Sequence, residues 1–170
     1  MGRPTLQYER EWRSRGHALV AGVDEAGRGP LAGPVCAAAV LLPEKFRHKT
    51  LNDSKQLRAE QREEIYREIT GNARVTWSMV MVHVEEIDQF NILRASHLAM
   101  RRAVLQLSPA PDCVLLDGKP LPDFPWPCQA IVKGDSLSLS IAAASIIAKV
   151  SRDRFMIDAA RQHPEYGFER

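Results

Sequence analysis

Two short apolar runs in this chain end on carboxylates, and that repetition limits the folds open to it. ALVAGV, residues 18–23, leads straight into Asp24-Glu25, and CVLL, residues 113–116, leads into Asp117-Gly118. Apolar runs this short, closed by acids and glycines, read as buried strands. A carboxylate at the end of a buried strand is partly desolvated, and leaving it unpaired costs on the order of several kcal/mol. Acids placed this way need a base, hydrogen-bond donors or a cation. With no cysteine or histidine beside them, converging carboxylates suit Mg²⁺ or Mn²⁺ better than Zn²⁺. Each acid alone is also readable as a turn former or a helix cap. That holds above all for Asp135, since KGDS ahead of a long helix is what an N-terminal cap looks like.

The remaining pattern predicts the rest of one domain. PVCAAAVLL, residues 34–42, is a second buried strand, and the intervening EAGRGPLAG, with three glycines and a proline in nine residues, is a turn or loop. Asp53-Ser54 opens a helix whose apolar positions are Leu57, Ile65 and Ile69. Residues 75–84 alternate as a third strand. Residues 85–107 read as one helix with Ile87, Ile92, Leu93, Leu98, Val104 and Leu105 on its inner face. Residues 129–132 form a last strand before Gly134-Asp135, and residues 136–161 form a long helix rich in small side chains. Residues 1–17 read as a short helix or arm anchored by Tyr8 and Trp12. Short early connections favour antiparallel strands and helical crossovers favour parallel ones, so the expectation is an α/β domain with a mixed sheet flanked by helices.

Composition excludes several classes. At 45% hydrophobic and 26% charged the chain is neither disordered nor membrane-like, and its longest apolar run stops at Pro43. It is expected to be soluble and cytoplasmic. Cys36, Cys113 and Cys128 are an odd set at unremarkable spacing, which argues against disulfides and zinc. A net charge of +2 permits a nucleic-acid partner without requiring one. His97 and His163 have no companions at ligand spacing.

Five blocks in order, VDEAGRGPLAGPV, LNDSKQL, LLDG, VKGDS and IAAASIIAKVSRDR, followed by YGFER, resemble the ribonuclease HII family. The resemblance implies a ribonuclease H-like fold with a five-stranded mixed sheet. It also implies an endonuclease, acting as a monomer, that cuts the RNA strand of RNA–DNA hybrids, including single ribonucleotides in duplex DNA. Its carboxylate set falls on Asp24, Glu25, Asp117 and Asp135, which would hold two divalent ions, Mn²⁺ or Mg²⁺, and leave 5′-phosphate and 3′-hydroxyl ends. Gly27, Arg28 and Gly29 would contact the 2′-hydroxyl through their backbone. By motif position Lys55 and Lys149 would lie near phosphates, with Ser145 on the same helix face as Lys149. Asp153 and Asp158 read as salt-bridge partners of neighbouring arginines. The family's C-terminal helical part, with its HKGY- or NKGY-like block, is not found after residue 170, so weaker recognition of the RNA–DNA junction is expected. A DNA-cutting nuclease of the same fold, a non-catalytic hybrid binder and a small-molecule phosphotransfer domain are the competing classes. The last of these lacks a GxxxxGK[ST] loop.

Overall fold

The computed structural model describes residues 3–168; Glu169 and Arg170, which end the YGFER block, lie outside the described residues. Helix α1 (Gln7–Ser14) precedes β1 (Val20–Ala26) and β2 (Val35–Leu41). Then follow α2 (Ala59–Thr70), β3 (Thr76–Val82), α3 (Val84–Phe90), α4 (Ile92–Leu105), β4 (Cys113–Asp117), β5 (Cys128–Ile131) and α5 (Leu139–Gln162). The five strands lie in the order β3-β2-β1-β4-β5. β1, β2 and β3 pair antiparallel, while β4 runs parallel to β1 and β5 parallel to β4. The expected mixed sheet flanked by helices is therefore present.

Alternation along β2 divides the core in two. Cys36, Ala38 and Val40 pack with α5 and with Ile65 and Ile69 of α2. Val35, Ala37, Ala39 and Leu41 pack with Ala95, Ala99, Met100 and Ala103 of α4. The small residues opening α5 have a geometric cause. A Cβ on Gly22 of β1 would stand 2.2 Å from the Ser140 carbonyl carbon, so the helix backbone lies directly on the central strand. Cys36 and Cys113 are buried and Cys128 half-buried, all as free thiols. Among the described residues no helix is long and apolar enough to cross a membrane.

Three boundaries differ from the sequence expectation. β1 runs through the acids instead of ending before them, because Asp24 and Glu25 keep their ladder partners Ala38 and Ala37. The single helix expected over residues 85–107 is two, broken at Asn91, which takes φ 71° and accepts a hydrogen bond from the Arg94 N–H at 3.1 Å. Within α4 the alanines take the inner face, and Leu93 and Leu105 are 47% and 65% exposed. The helix start at Asp53-Ser54 is only a short 3₁₀ turn, with α2 beginning at Ala59.

Candidate active site

The parallel pairing of β1 with β4 brings the acids to one end of the sheet. Asp24 lies on β1, 5% exposed, on the face toward α5, and its Oδ1 accepts the Glu25 N–H at 2.7 Å. Glu25 points to the other face and accepts from Arg28 at 3.0 Å. Asp117 closes β4, and its Oδ1 accepts the Gly134 N–H at 2.7 Å and the Asp135 N–H at 3.4 Å. Asp135 is 4% exposed. It is not the cap of α5: Ser138 holds that position and accepts from the Ile141 N–H. The cap-like appearance of KGDS came from a 3₁₀ turn one step earlier.

Burial and mutual repulsion set the electrostatics. Burial, then the charges of Glu25 and Asp117, hold Asp24 well above the ordinary carboxylate range, while the neighbouring Ser145 hydroxyl and the Glu25 N–H pull it back. Burial raises Glu25 too, with Arg28 opposing and Asp117 adding. Burial, Asp117 and Asp53 push Asp135 up to about 6, against Lys55, whose ammonium stands 3.8 Å away. Burial pulls Lys55 down, but Asp135, Asp24, Asp53 and Asp117 together outweigh it and raise it.

These shifts carry a sign for stability. A carboxylate raised by folding makes the native state bind more protons than the unfolded chain, so its contribution is present below the unfolded value and is lost as pH rises through the folded one. For Asp135 that window runs from its ordinary 3.8 to about 6. In EDTA, the urea midpoint is expected to fall across that window, and to fall less steeply in Asp135→Asn. Equal slopes in the two proteins would show that the acid is not strained.

A cleft of about 320 Å³ opens beside Asp24 and Glu25, walled by Gly27, Arg28, Gly29, Lys55, Ser145 and Lys149 among others. All of the sequence-predicted substrate-side residues thus share one cavity, and Asp117 and Asp135 adjoin it through the contacts above. The two glycines differ. Gly27 takes φ +109° and a Cβ there would strike the Arg152 side chain at 2.5 Å, so folding demands it, whereas a Cβ on Gly29 would meet nothing within 4 Å. Lys149 donates to Asp153 at 2.5 Å and Ser145 pairs with Ser54 at 3.0 Å, so both are already engaged within the fold. Asp153, expected to pair with neighbouring arginines, pairs instead with Lys149 and with the distant Arg62; Asp158 does bond Arg161.

The structural roles of three residues escaped sequence reasoning. Arg152 is buried and donates to the Pro34 and Ala32 carbonyls, fixing the end of the glycine loop. Ser54 backs Ser145, and Asp53 presses on Asp135. The only local signal was their membership of the NDSKQL and SRDR blocks.

A match to the ribonuclease HII family model spans residues 21–170. The chain belongs to the ribonuclease HII family. This family member is 55% identical over 171 residues to the ribonuclease HII of Ruegeria pomeroyi, a match spanning all of this chain and 72% of that protein. Among solved structures it is similar to ribonuclease H2 from Pyrococcus horikoshii, at 30% identity and TM-score 0.75, over 87% of this chain and 78% of that one. Its fold is also that of Bst-RNase HIII in complex with Mn²⁺, at 22% identity and TM-score 0.72, over 86% of this chain and 55% of that one. The enzyme is a ribonuclease H endonuclease.

In this family member the acids fit a divalent cation in kind. They offer oxygen only, the charges of Glu25 and Asp117 raise Asp24, and the buried Glu25 Oε2 has no hydrogen-bond partner among the described residues. Among the described residues no three such side chains are already gathered at metal-holding geometry. Like charges in a low dielectric repel, so a cation would have to draw them in.

Proposed function

We propose that this enzyme hydrolyses the RNA strand of RNA–DNA hybrids and cuts at single ribonucleotides embedded in duplex DNA, leaving 5′-phosphate and 3′-hydroxyl ends. Asp24, Glu25, Asp117 and Asp135 would hold two divalent ions, Mg²⁺ or Mn²⁺. Bound there, the ions would supply an activated water and charge stabilisation for the leaving 3′ oxygen. The observation that carries this reading is the convergence of four carboxylates at one sheet end, with burial and repulsion raising three of them and, among the described residues, only Lys55 and Arg28 as counter-charges.

The chain's own groups would then divide the work. Gly29, open to the cleft, lets the backbone approach a 2′-hydroxyl with no side chain intervening. Arg152 fixes the loop that presents it. Lys55, largely exposed and facing the acids, would meet a scissile-side phosphate, and Lys149 would do so after exchanging Asp153 for it. Ser145 is better placed to orient Asp24 than to touch substrate.

A duplex carrying one ribonucleotide, an all-RNA–DNA hybrid and an all-DNA duplex, each incubated with and without Mg²⁺ or Mn²⁺ and mapped to the nucleotide, test the reading. Metal-dependent cutting of the first two alone is expected. Comparable cutting of all-DNA would replace the ribose reader with a DNA nuclease.

A further inference from the structure

We propose that the duplex leaves the cleft across α4, where Arg94 and Arg101, with His97 between them, form a stripe that holds backbone phosphates. The proposal rests on the cleft being the hybrid-binding site. β3 leaves the sheet at Val82, paired with Val35, at the same sheet end that carries Asp24 and Glu25, and α4 follows after the short helix α3. Arg94, His97 and Arg101 are spaced i, i+3, i+7 and share a helix face. With Leu98 and Pro122 they wall a shallow depression of about 220 Å³. Seven residues of helix span roughly 10 Å, about three nucleotides of one strand.

Charge decides the direction. On the other side of the cleft the bases of α2 and α5 are engaged within the fold: Lys149 and Arg62 share Asp153, and Arg154 and Arg67 share Glu63. Among the described residues no carboxylate pairs with Arg94 or Arg101. Arg101 donates only to the Asp123 carbonyl, at 2.6 Å, which leaves its charge uncompensated and directs it toward the loop after β4. Arg28, in the cleft wall and paired with Glu25, lies near enough to α4 that burial first, then its charge and that of Arg101, hold His97 below its ordinary value, so the cleft wall and the α4 face adjoin. A polyanion entering the cleft gains more by following unpaired cations than by breaking four existing ion pairs.

The test is fluorescence anisotropy of a labelled RNA–DNA hybrid in EDTA across a NaCl series, alongside steady-state cleavage. The double variant Arg94→Ala/Arg101→Ala should make the slope of log affinity against log salt shallower by roughly one to two. It should also raise KM more than it lowers kcat. Arg154→Ala, on the opposite side, should leave the slope as in wild type. An unchanged slope in the double variant would overturn the α4 path while leaving the nuclease reading intact. A shallower slope in Arg154→Ala would place the duplex over α5 and overturn it as well. Failure of the wild type to bind or cut the hybrid would instead overturn the reading of the cleft itself.

Discussion

Asp24→Asn should lower the cleavage rate by roughly 1000-fold or more, equivalent to about 4 kcal/mol of barrier, while hybrid binding in EDTA persists. Asparagine keeps the size of the side chain and its oxygen can still accept the Glu25 N–H, which Asp24 Oδ1 accepts at 2.7 Å. What disappears is a charge buried beside Glu25 and Asp117, and those two neighbours are among the causes that raise Asp24. The same substitution should therefore stabilise the metal-free fold, by about 1–2 kcal/mol near neutral pH, because it relieves desolvation and repulsion together. Rate and stability move in opposite directions only if the acid is kept for chemistry against its cost to folding. Single-turnover cleavage and urea unfolding of the same preparation read both. A variant that cuts within tenfold of wild type, or one that is less stable in EDTA, would remove Asp24 from the centre of the mechanism.

Glu9→Ala should cost about 3 kcal/mol of folding stability although it lies on α1, ahead of the residues the family model matches. Glu9 is fully buried, and its Oε1 accepts from Ser138 Oγ at 2.7 Å, Ser140 N at 2.9 Å and Ser140 Oγ at 2.6 Å. Its other oxygen has no partner among the described residues. A lone carboxylate survives there because it sits against the first turn of α5, whose free N–H groups and dipole favour an anion. Thr5 joins the same contact, accepting from the Leu139 N–H at 2.9 Å and donating to the Leu137 carbonyl at 3.0 Å. Truncation would leave the Ser140 N–H unsatisfied and a void beneath the helix that rests on Gly22. Glu9→Gln should cost less than half as much, since its amide oxygen can keep all three donors. Urea midpoints measure both; an alanine variant within about 1 kcal/mol of wild type would make α1 dispensable.

The acids were legible because two of them follow apolar runs and the blocks around all four carry a family resemblance. Their arrangement was less so. Apolar residues mark a strand where it is buried on both faces, but Asp24 and Glu25 remain in β1 through hydrogen bonds to β2, which leave no trace in their own side chains. The Asn91 break was hidden because apolar residues continue on both sides of it, and Leu93 and Leu105 face solvent because alanines fill the inner face of α4. Asp135 looked like a cap because a 3₁₀ turn and a helix start use the same residue types, and Ser138 three residues on was equally eligible.

Local patterns by themselves marked the strands, the glycine loop, the mixed sheet and the strand-end acids Asp24, Glu25 and Asp117, since each is written in residues close together in the chain, while Asp135 rested on the family resemblance. Only the tertiary structure decided which groups hold those acids in place. Arg152 reaches Pro34 across 118 residues, Ser145 reaches Ser54 across 91, and Glu9 reaches Ser140 across 131. Hydrogen bonds over such separations depend on where the sheet places its helices. No local pattern of apolar and polar residues encodes that placement.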